Sequence, residues 1–509
     1  MTNAAADQSS NRPLNAPATP RDLAWVVVLV AGALALRLYH LDWQGLWHDE
    51  AGSVTIARAP LSRVLDFFLH RTEPFELNPP VYLLLRAWTS VVGTTDLAVR
   101  LLSAVAGAAA VPLAWRLGRR LFGERAALYG AAFVAVSQLG VMFSQEARGY
   151  ALVVPLWLIT CDAFVHARAH RSGRAWSVAT IAGVLTVGTH YYATLGVMAL
   201  AVFVALRWRD VPVRWVAASA ATALALLGPW AALTLPAQLA QARAAAGHAY
   251  YSVQVAAPLT LLNRFNNGAF AGVLDPAPRW TFVAGSLIFV LPIVLFLVRT
   301  WRGADAHIRD AVLFIVLASG VPAAGGIVAA WTAHVQYDVR YVAYAAAPYC
   351  VLAGAALAAL PRARLRAWAF GAALLYSLLA LRANYTVPYK EDYRGAIEYV
   401  DARATPTDCY AFAPFGVQPL QWPLYASRPA APRLAPGDAI TACPRVWLFT
   451  YSRVEVDTMA TWDAWRASAL AGWSHPTTTD FFWVRVDEYV APPSAIHNDV
   501  VTSGQDRRP

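Results

Sequence analysis

About eleven apolar stretches run through this chain, at 23–39, 97–115, 126–143, 150–166, 176–190, 192–206, 213–233, 280–298, 311–331, 341–360 and 366–382. Some 20 predominantly apolar residues cross the hydrocarbon core of a bilayer. Inside that core every backbone N–H and C=O needs an internal partner, so such stretches fold as helices. The expected fold is an α-helical polytopic membrane protein with about eleven transmembrane helices. Composition agrees. Of 509 residues, 58% are hydrophobic and 14% are charged, against roughly 25% charged in a typical soluble domain. An ordinary cytosolic enzyme, a disordered chain and a fibrous one are all excluded.

The formal charge is +10, and Lys390 is the single lysine, so arginine carries the surplus. The arginines gather in alternate connections: Arg116/Arg119/Arg120/Arg125, Arg168/Arg171/Arg174, Arg207/Arg209/Arg214, Arg299/Arg302/Arg309 and Arg362/Arg364/Arg366. That is the positive-inside pattern rather than a nucleic-acid surface. It puts these loops and the N-terminus in the cytoplasm. The connections 40–96, 144–149, 190–192, 234–279 and 332–340 and the C-terminal tail then lie outside. No small-residue cleavage site follows segment 23–39, so it reads as an anchor. Residues 1–22 read as a disordered cytoplasmic segment, 23–383 as the transmembrane domain, and 384–509 as an extracytoplasmic α/β domain. The tail holds an amphipathic helix over 391–403 and strand-like runs at Cys409-Tyr-Ala-Phe-Ala-Pro and Arg445-Val-Trp-Leu-Phe-Thr-Tyr. Residues 79–92 are too short to span and read as a helix at the outer interface, with Arg86 and Trp88 at headgroup depth. Cys161 and Cys350 are apolar filler. Cys409 and Cys443, in an oxidising compartment, can form a disulfide.

Polar groups at membrane depth are costly and point to function. Four clusters fall on the outer side. The first is Trp47-His48-Asp49-Glu50, where two adjacent carboxylates near a low-dielectric boundary repel and one becomes a candidate base. The second is Ser144-Gln145-Glu146-Ala147-Arg148-Gly149-Tyr150, an acid and an arginine in a loop with almost no length. The third is His190-Tyr191-Tyr192. The fourth is Gln336-Tyr337-Asp338-Val339-Arg340-Tyr341, whose arginine suits an anionic phosphate. Arg264, Asn266 and Asn267 are weaker candidates. Together these supply a carboxylate for an acceptor hydroxyl and arginines for a phosphate, beside apolar helices along which a lipid tail can lie.

The chain resembles the polytopic GT-C-type glycosyltransferases, in the superfamily of protein O-mannosyltransferases and the lipid A aminoarabinose transferase. The resemblance runs over residues 23–400. It is carried by Trp47-His48-Asp49-Glu50, Asn78-Pro79-Pro80, Gly93 to Arg100, Gly118 to Gly123, Ser144 to Tyr150, Arg340-Tyr341 and Asp392 to Ala396. It implies catalysis on the outer face of a cell membrane, taken as a bacterial inner membrane, with a polyprenyl-phosphate-linked sugar as donor and a lipid, glycan or protein as acceptor. By the same resemblance Asp49 is the base or the acceptor-positioning group, with Glu50 beside it, and Arg148 and Arg340 contact the phosphate. His48, Glu76, Asn78, Glu146, His190, Tyr191, Arg264 and Tyr341 complete the candidate site. The aminoarabinose transferases carry Glu-Lys before the Pro-Pro, whereas Glu76-Leu77-Asn78 stands here, so that sugar specificity does not transfer. Asp49 and Glu50 are also the residues to hold a divalent cation, if one is used. A transporter or flippase of lipid-linked sugars is the rival reading. It predicts an internal repeat and charges near the bilayer midplane. The sequence has no evident repeat, and its charges gather at one face.

Overall fold

The computed structural model describes residues 18–70, 78–246, 257–268, 279–333, 337–414, 419–428, 432–435, 437–438, 440, 443–452 and 456–492. They divide into two compact units, one formed by the chain up to Leu41 and Ile56–Val387, the other by Asp42–Thr55 and the chain from Pro388 on.

The first unit is helical. Helix α1 (Pro20–Leu38) begins at a capping box in which the Thr19 side chain accepts from Asp22 N and Asp22 accepts from Thr19 N. Two orphan N–H groups are satisfied reciprocally. Helical structure therefore starts before residue 22, where the sequence reading had extended disorder. Then come α2 (His48–Arg58), whose residues 48–55 belong to the second unit, α3 (Leu61–His70), α4 (Pro79–Val92), α5 (Asp96–Phe122), α6 (Glu124–Ala135), α7 (Gln138–Ser144), α8 (Tyr150–His170), α9 (Gly173–Thr189), α10 (Thr194–Leu206) and α11 (Val213–Ala246). The unit continues through α12 (Ala257–Phe265), α13 (Arg279–Gly285), α14 (Leu291–Gly303), α15 (Ala306–Ala333), α16 (Ala346–Ala358), α17 (Ala363–Leu381) and α18 (Ala383–Thr386).

Each of the eleven apolar stretches is helical. Among the described residues seven are long and apolar enough to span, or eight if the bent pair α6–α7 is one span. The other three, in α1, α9 and α10, are shorter or carry charges near their ends. Residues 126–143, read as one helix, bend by 51° between α6 and α7. The span Val213–Ala237 leaves Leu224, Leu226, Leu233 and Leu235 exposed. In water so much exposed apolar surface would be an aggregation site, while hydrocarbon solvates it. Residues 339–358 are by contrast almost wholly enclosed, opening as a 3₁₀ turn (Val339–Ala345) that runs into α16. Gly354 of α16 lies against α6, where a Cβ would fall 2.4 Å from Gly130 N, so the two backbones touch as small residues in membrane helices allow.

Most of the described residues in the connection 40–96 lie in the three helices α2, α3 and α4. Arg86 and Trp88, expected at headgroup depth, make internal bonds. Arg86 donates to the carbonyls of Ala57 and Ala59, and Trp88 Nε1 to Ala98 O at 2.8 Å. Several loop arginines also have partners. Asp162 on α8 is buried and bridges Arg116 and Arg120 of α5, each at 2.8 Å. Asp310 on α15 bridges Arg168 at 2.5 Å and Arg207 at 2.8 Å.

The second unit has α19 (Tyr393–Asp401), α20 (Trp422–Tyr425), α21 (Val456–Ala469) and five strands: β1 (Cys409–Ala413), β2 (Arg433–Leu434), β3 (Arg445–Tyr451), β4 (Thr477–Phe481) and β5 (Val484–Val490). The sheet order is β2-β1-β3-β5-β4, with β1 parallel to β2 and β3, and β5 antiparallel to β3 and β4. Side chains alternate between faces with a period of two. Tyr410, Phe412, Trp447 and Phe449 pack with Ile397 and Val400 of α19. Cys409, Ala411, Val446 and Leu448 pack with Trp462 and Trp465 of α21. Both faces are covered, which explains why β1 and β3 read as continuous apolar runs. Cys409 and Cys443 are joined by a disulfide with Cα atoms 5.7 Å apart, closing 34 residues of chain. A loop of that length stabilises the fold by roughly 3–4 kcal/mol on the chain-entropy account.

Candidate active site

Residues 42–55 fold with the tail. The Gln44 side-chain oxygen accepts from Tyr389 N at 2.8 Å and Lys390 N at 3.0 Å. Leu46 N donates to the Tyr425 hydroxyl at 2.7 Å, and Arg394 donates to the carbonyls of Asp42 at 3.1 Å and Trp43 at 2.7 Å. This framework sets the start of α2, where His48, Asp49 and Glu50 form the first turn. A helix N-terminus favours carboxylates.

The two acids differ sharply. Glu50 is fully buried, and its Oε2 accepts from Lys390 Nζ at 3.0 Å. The chain's one lysine is thus committed to a carboxylate. Asp49 is only half-buried, and His48 is exposed. Among the described residues no group of three His, Cys, Asp or Glu stands in place to hold a metal ion.

Glu391 is the acid the sequence reading missed. It is buried, accepts from His48 N at 2.5 Å, and takes Gln421 Nε2 at 3.3 Å. Burial lifts its carboxyl to about 7, the nearby Asp49 and Glu50 charges add to this, and the His48 N–H opposes it. The consequence for stability has a definite sign. A carboxyl whose folded value lies above its unfolded value binds protons more readily in the folded state, so stability falls as pH rises from about 4.5 to about 7 and is level above. Glu391→Gln should flatten that dependence, removing a decline on the order of 3 kcal/mol. Unfolding midpoints of the full-length protein at pH 5 and pH 8 check it. An unchanged difference between the two pH values would count against the assignment to Glu391.

In the helical unit a second group gathers around Tyr150, the first residue of α8. The Arg148 guanidinium lies 5.7 Å and that of Arg340 6.0 Å from the Tyr150 ring centroid. Arg340 also lies 5.7 Å from the Tyr341 ring and pairs with Asp338 Oδ2 at 3.3 Å. The Asp338 carboxylate reaches Arg264 on α12 electrostatically as well. His190 caps the 3₁₀ turn Tyr191–Ala193 by accepting from Tyr192 N at Nδ1, 3.3 Å away. That bond assigns the hydrogen to Nε2. His190 is buried among the rings of Tyr150, Tyr191, Tyr192 and Tyr341, with centroids 5.1–6.0 Å away, and its Nε2 has no hydrogen-bond partner. Two guanidiniums and an unsatisfied N–H in an aromatic enclosure suit an anionic oxygen ligand.

Among the other candidates, Glu146 is buried beside Arg148 in sequence, and Tyr341 is buried in the 3₁₀ turn. Asn78 is the N-cap of α4, yet its side chain caps nothing. Pro79 and Pro80 follow it and have no N–H to donate. Asn266 accepts from the Tyr349 hydroxyl, and Asn267 donates to Ser377 Oγ at 3.2 Å. Glu76 and Gln336 lie outside the described residues.

A family model described as dolichyl-phosphate-mannose-protein mannosyltransferase matches residues 77–232. No curated protein sequence matches. Solved structures do. The crystal structure of ArnT from Cupriavidus metallidurans bound to undecaprenyl phosphate has a TM-score of 0.56 at 14% identity, over 93% of this chain and 99% of that one. The same protein in the apo state gives 0.55 at 15%, over 92% and 98%. Archaeal oligosaccharyltransferase AglB from Archaeoglobus fulgidus, in complex with an inhibitory peptide and a dolichol-phosphate, gives 0.53 at 12%, over 92% and 74%. At such identities the likeness is one of fold.

Proposed function

For a polytopic membrane chain with the fold of the GT-C glycosyltransferases, we propose glycosyl transfer from a polyprenyl-phosphate-linked sugar to a hydroxyl of a cell-envelope acceptor. The observation that carries the reading is the enclosure of Arg148, Arg340 and His190 around Tyr150. Two of the structures with this fold hold polyprenyl phosphates, undecaprenyl phosphate in ArnT and dolichol-phosphate in AglB, which supports the same ligand class here.

The chemistry needs little. The acceptor oxygen attacks the anomeric carbon, the bond from that carbon to the phosphate oxygen breaks, and the polyprenyl phosphate leaves with the electron pair. Arg148 and Arg340 stabilise the charge that develops on the leaving phosphate. Asp49 takes the acceptor's proton or orients its hydroxyl. Glu50, neutralised by Lys390, holds the start of α2 in place.

Purified protein given an undecaprenyl-phosphate sugar with radiolabel in the sugar should move label into envelope acceptor. Arg340→Ala should weaken undecaprenyl phosphate binding by about 10–150-fold, the loss of a charge-assisted contact worth roughly 1.5–3 kcal/mol. Passage of intact lipid-linked sugar across vesicles, with the sugar–phosphate bond unbroken, would favour the flippase reading instead.

The reaction belongs on the outer face of the membrane, with the N-terminus in the cytoplasm and the tail unit outside. The five arginine-rich connections support that orientation, even though Asp162 and Asp310 neutralise part of them. A phosphatase reporter, active only outside, should be active when fused after residue 400 and silent near Arg171. The reverse pattern would invert the chain.

A further inference from the structure

Arg37 is a cation inside an apolar helix, 1% exposed, and among the described residues no carboxylate pairs with it. A charge in such a place is costly and is retained for a reason. Its donors show which. Nη1 donates to Ala33 O in its own helix and to Ala135 O, both at 3.0 Å, and Nη2 donates to Val134 O at 3.3 Å. Ala135 and Val134 are the last residues of α6, where the chain breaks and bends by 51° into α7. These are carbonyls of the last turn, where the i+4 ladder ends, and Val134 O also accepts from Ser137 N at 3.5 Å. Nε donates to Ser144 Oγ at 3.1 Å, on the last residue of α7. One planar guanidinium therefore ties α1 to both sides of the break, which a lysine cannot do.

The residues next along the chain are tied to the same place. Gln145 Nε2 donates to Arg37 O at 3.1 Å and to Tyr39 O at 2.8 Å, at the end of α1. Glu146 and Arg148 follow within one turn of chain, and Ser103 of α5 donates to Arg148 O at 3.4 Å. The site for the guanidinium is cut to size. At Gly107 of α5 a Cβ would lie 1.9 Å from Ser144 Oγ and 2.8 Å from Arg37 Nε. Beside it lies a small cavity of about 30 Å³ lined by Arg37, Leu139, Phe143, Ser144, Tyr150 and Ala343. Helix α7 forms part of its wall, so the packing there is not complete, and without the tie the position of α7, and of Arg148 beyond it, is less closely fixed.

We propose that Arg37 is a positioning residue, fixing the α6–α7 break and the 144–148 segment so that Arg148 presents its guanidinium to the donor phosphate. The functional part rests on the reading of Arg148 given above. Arg37→Lys keeps the charge and loses the fork. In full-length protein in nanodiscs it should weaken undecaprenyl phosphate binding about tenfold and speed amide exchange over residues 138–148, with exchange in α8 and α16 unchanged. Gly107→Ala, which leaves Arg37 intact and displaces its partner, should do the same. In an Arg148→Ala background Arg37→Lys should add less than twofold, because the two act through one contact. Wild-type binding and exchange in Arg37→Lys would overturn the proposal, as would a full tenfold loss repeated on Arg148→Ala. If wild-type protein binds no undecaprenyl phosphate, the phosphate reading of Arg148 falls, and exchange over 138–148 still decides whether Arg37 holds the segment.

Discussion

Asp49→Asn should lower sugar transfer by about 10²–10⁴-fold, the usual cost of removing a general base, while protein level and undecaprenyl phosphate binding stay near wild type. The substitution keeps size and shape and removes charge and basicity. The structure singles out Asp49 from its neighbour. Glu50 is wholly buried with Lys390 at 3.0 Å, whereas Asp49 is half-buried one residue into α2. Glu50→Gln should therefore show itself chiefly as lost stability rather than lost turnover. Transfer by Asp49→Asn at the wild-type rate in purified protein would end the catalytic reading of the first loop.

Lys390→Met should destabilise the protein by about 3–5 kcal/mol, the cost of breaking a buried pair and leaving one charge uncompensated. Lys390 and Glu50 are 2% and 0% exposed, so solvent does little to screen either. The double variant Lys390→Met/Glu50→Gln should recover most of that loss, since replacing both partners of a buried pair is often close to neutral. Thermal unfolding of the full-length protein reads both. A single variant as stable as wild type, or a double variant no better than the single, would show that the pair does not hold α2 to the tail.

What the sequence disclosed follows from the range of the interaction concerned. Hydrophobic runs are local, and all eleven became helices, as did the amphipathic stretch now seen as Tyr393–Asp401. The break between α6 and α7 was hidden. Ser137 caps α7 by accepting from Gly140 N at 3.2 Å, yet Ser137-Gln138 is only a two-residue polar interruption in a run that is otherwise apolar. Arg37 passed unremarked inside segment 23–39, because its partners at 134, 135 and 144 lie about a hundred residues on. The arginine clusters were read by position alone, which overlooked Asp162 inside an apolar helix. Arg148, His190 and Arg340 were each named from the sequence, but their convergence on Tyr150 needed the fold. Lys390 was noted only as the single lysine of an arginine-rich chain. Its pairing with Glu50, and the burial of Glu391 beside His48, come from contacts some 340 residues apart.

That separation bears on how the protein is made. The segment bearing Asp49 and Glu50 leaves the ribosome well ahead of Lys390, which follows Glu50 by 340 residues. At about 5–20 residues per second, roughly 17–70 seconds of synthesis pass between them. Throughout that interval Glu50 waits without its counter-ion, the Leu46 amide without Tyr425 and the His48 amide without Glu391. The segment bearing Asp49 therefore reaches its final form only after nearly every membrane helix has been inserted. A nascent chain stalled anywhere before residue 388 carries Asp49 and Glu50 but lacks the residues that set them.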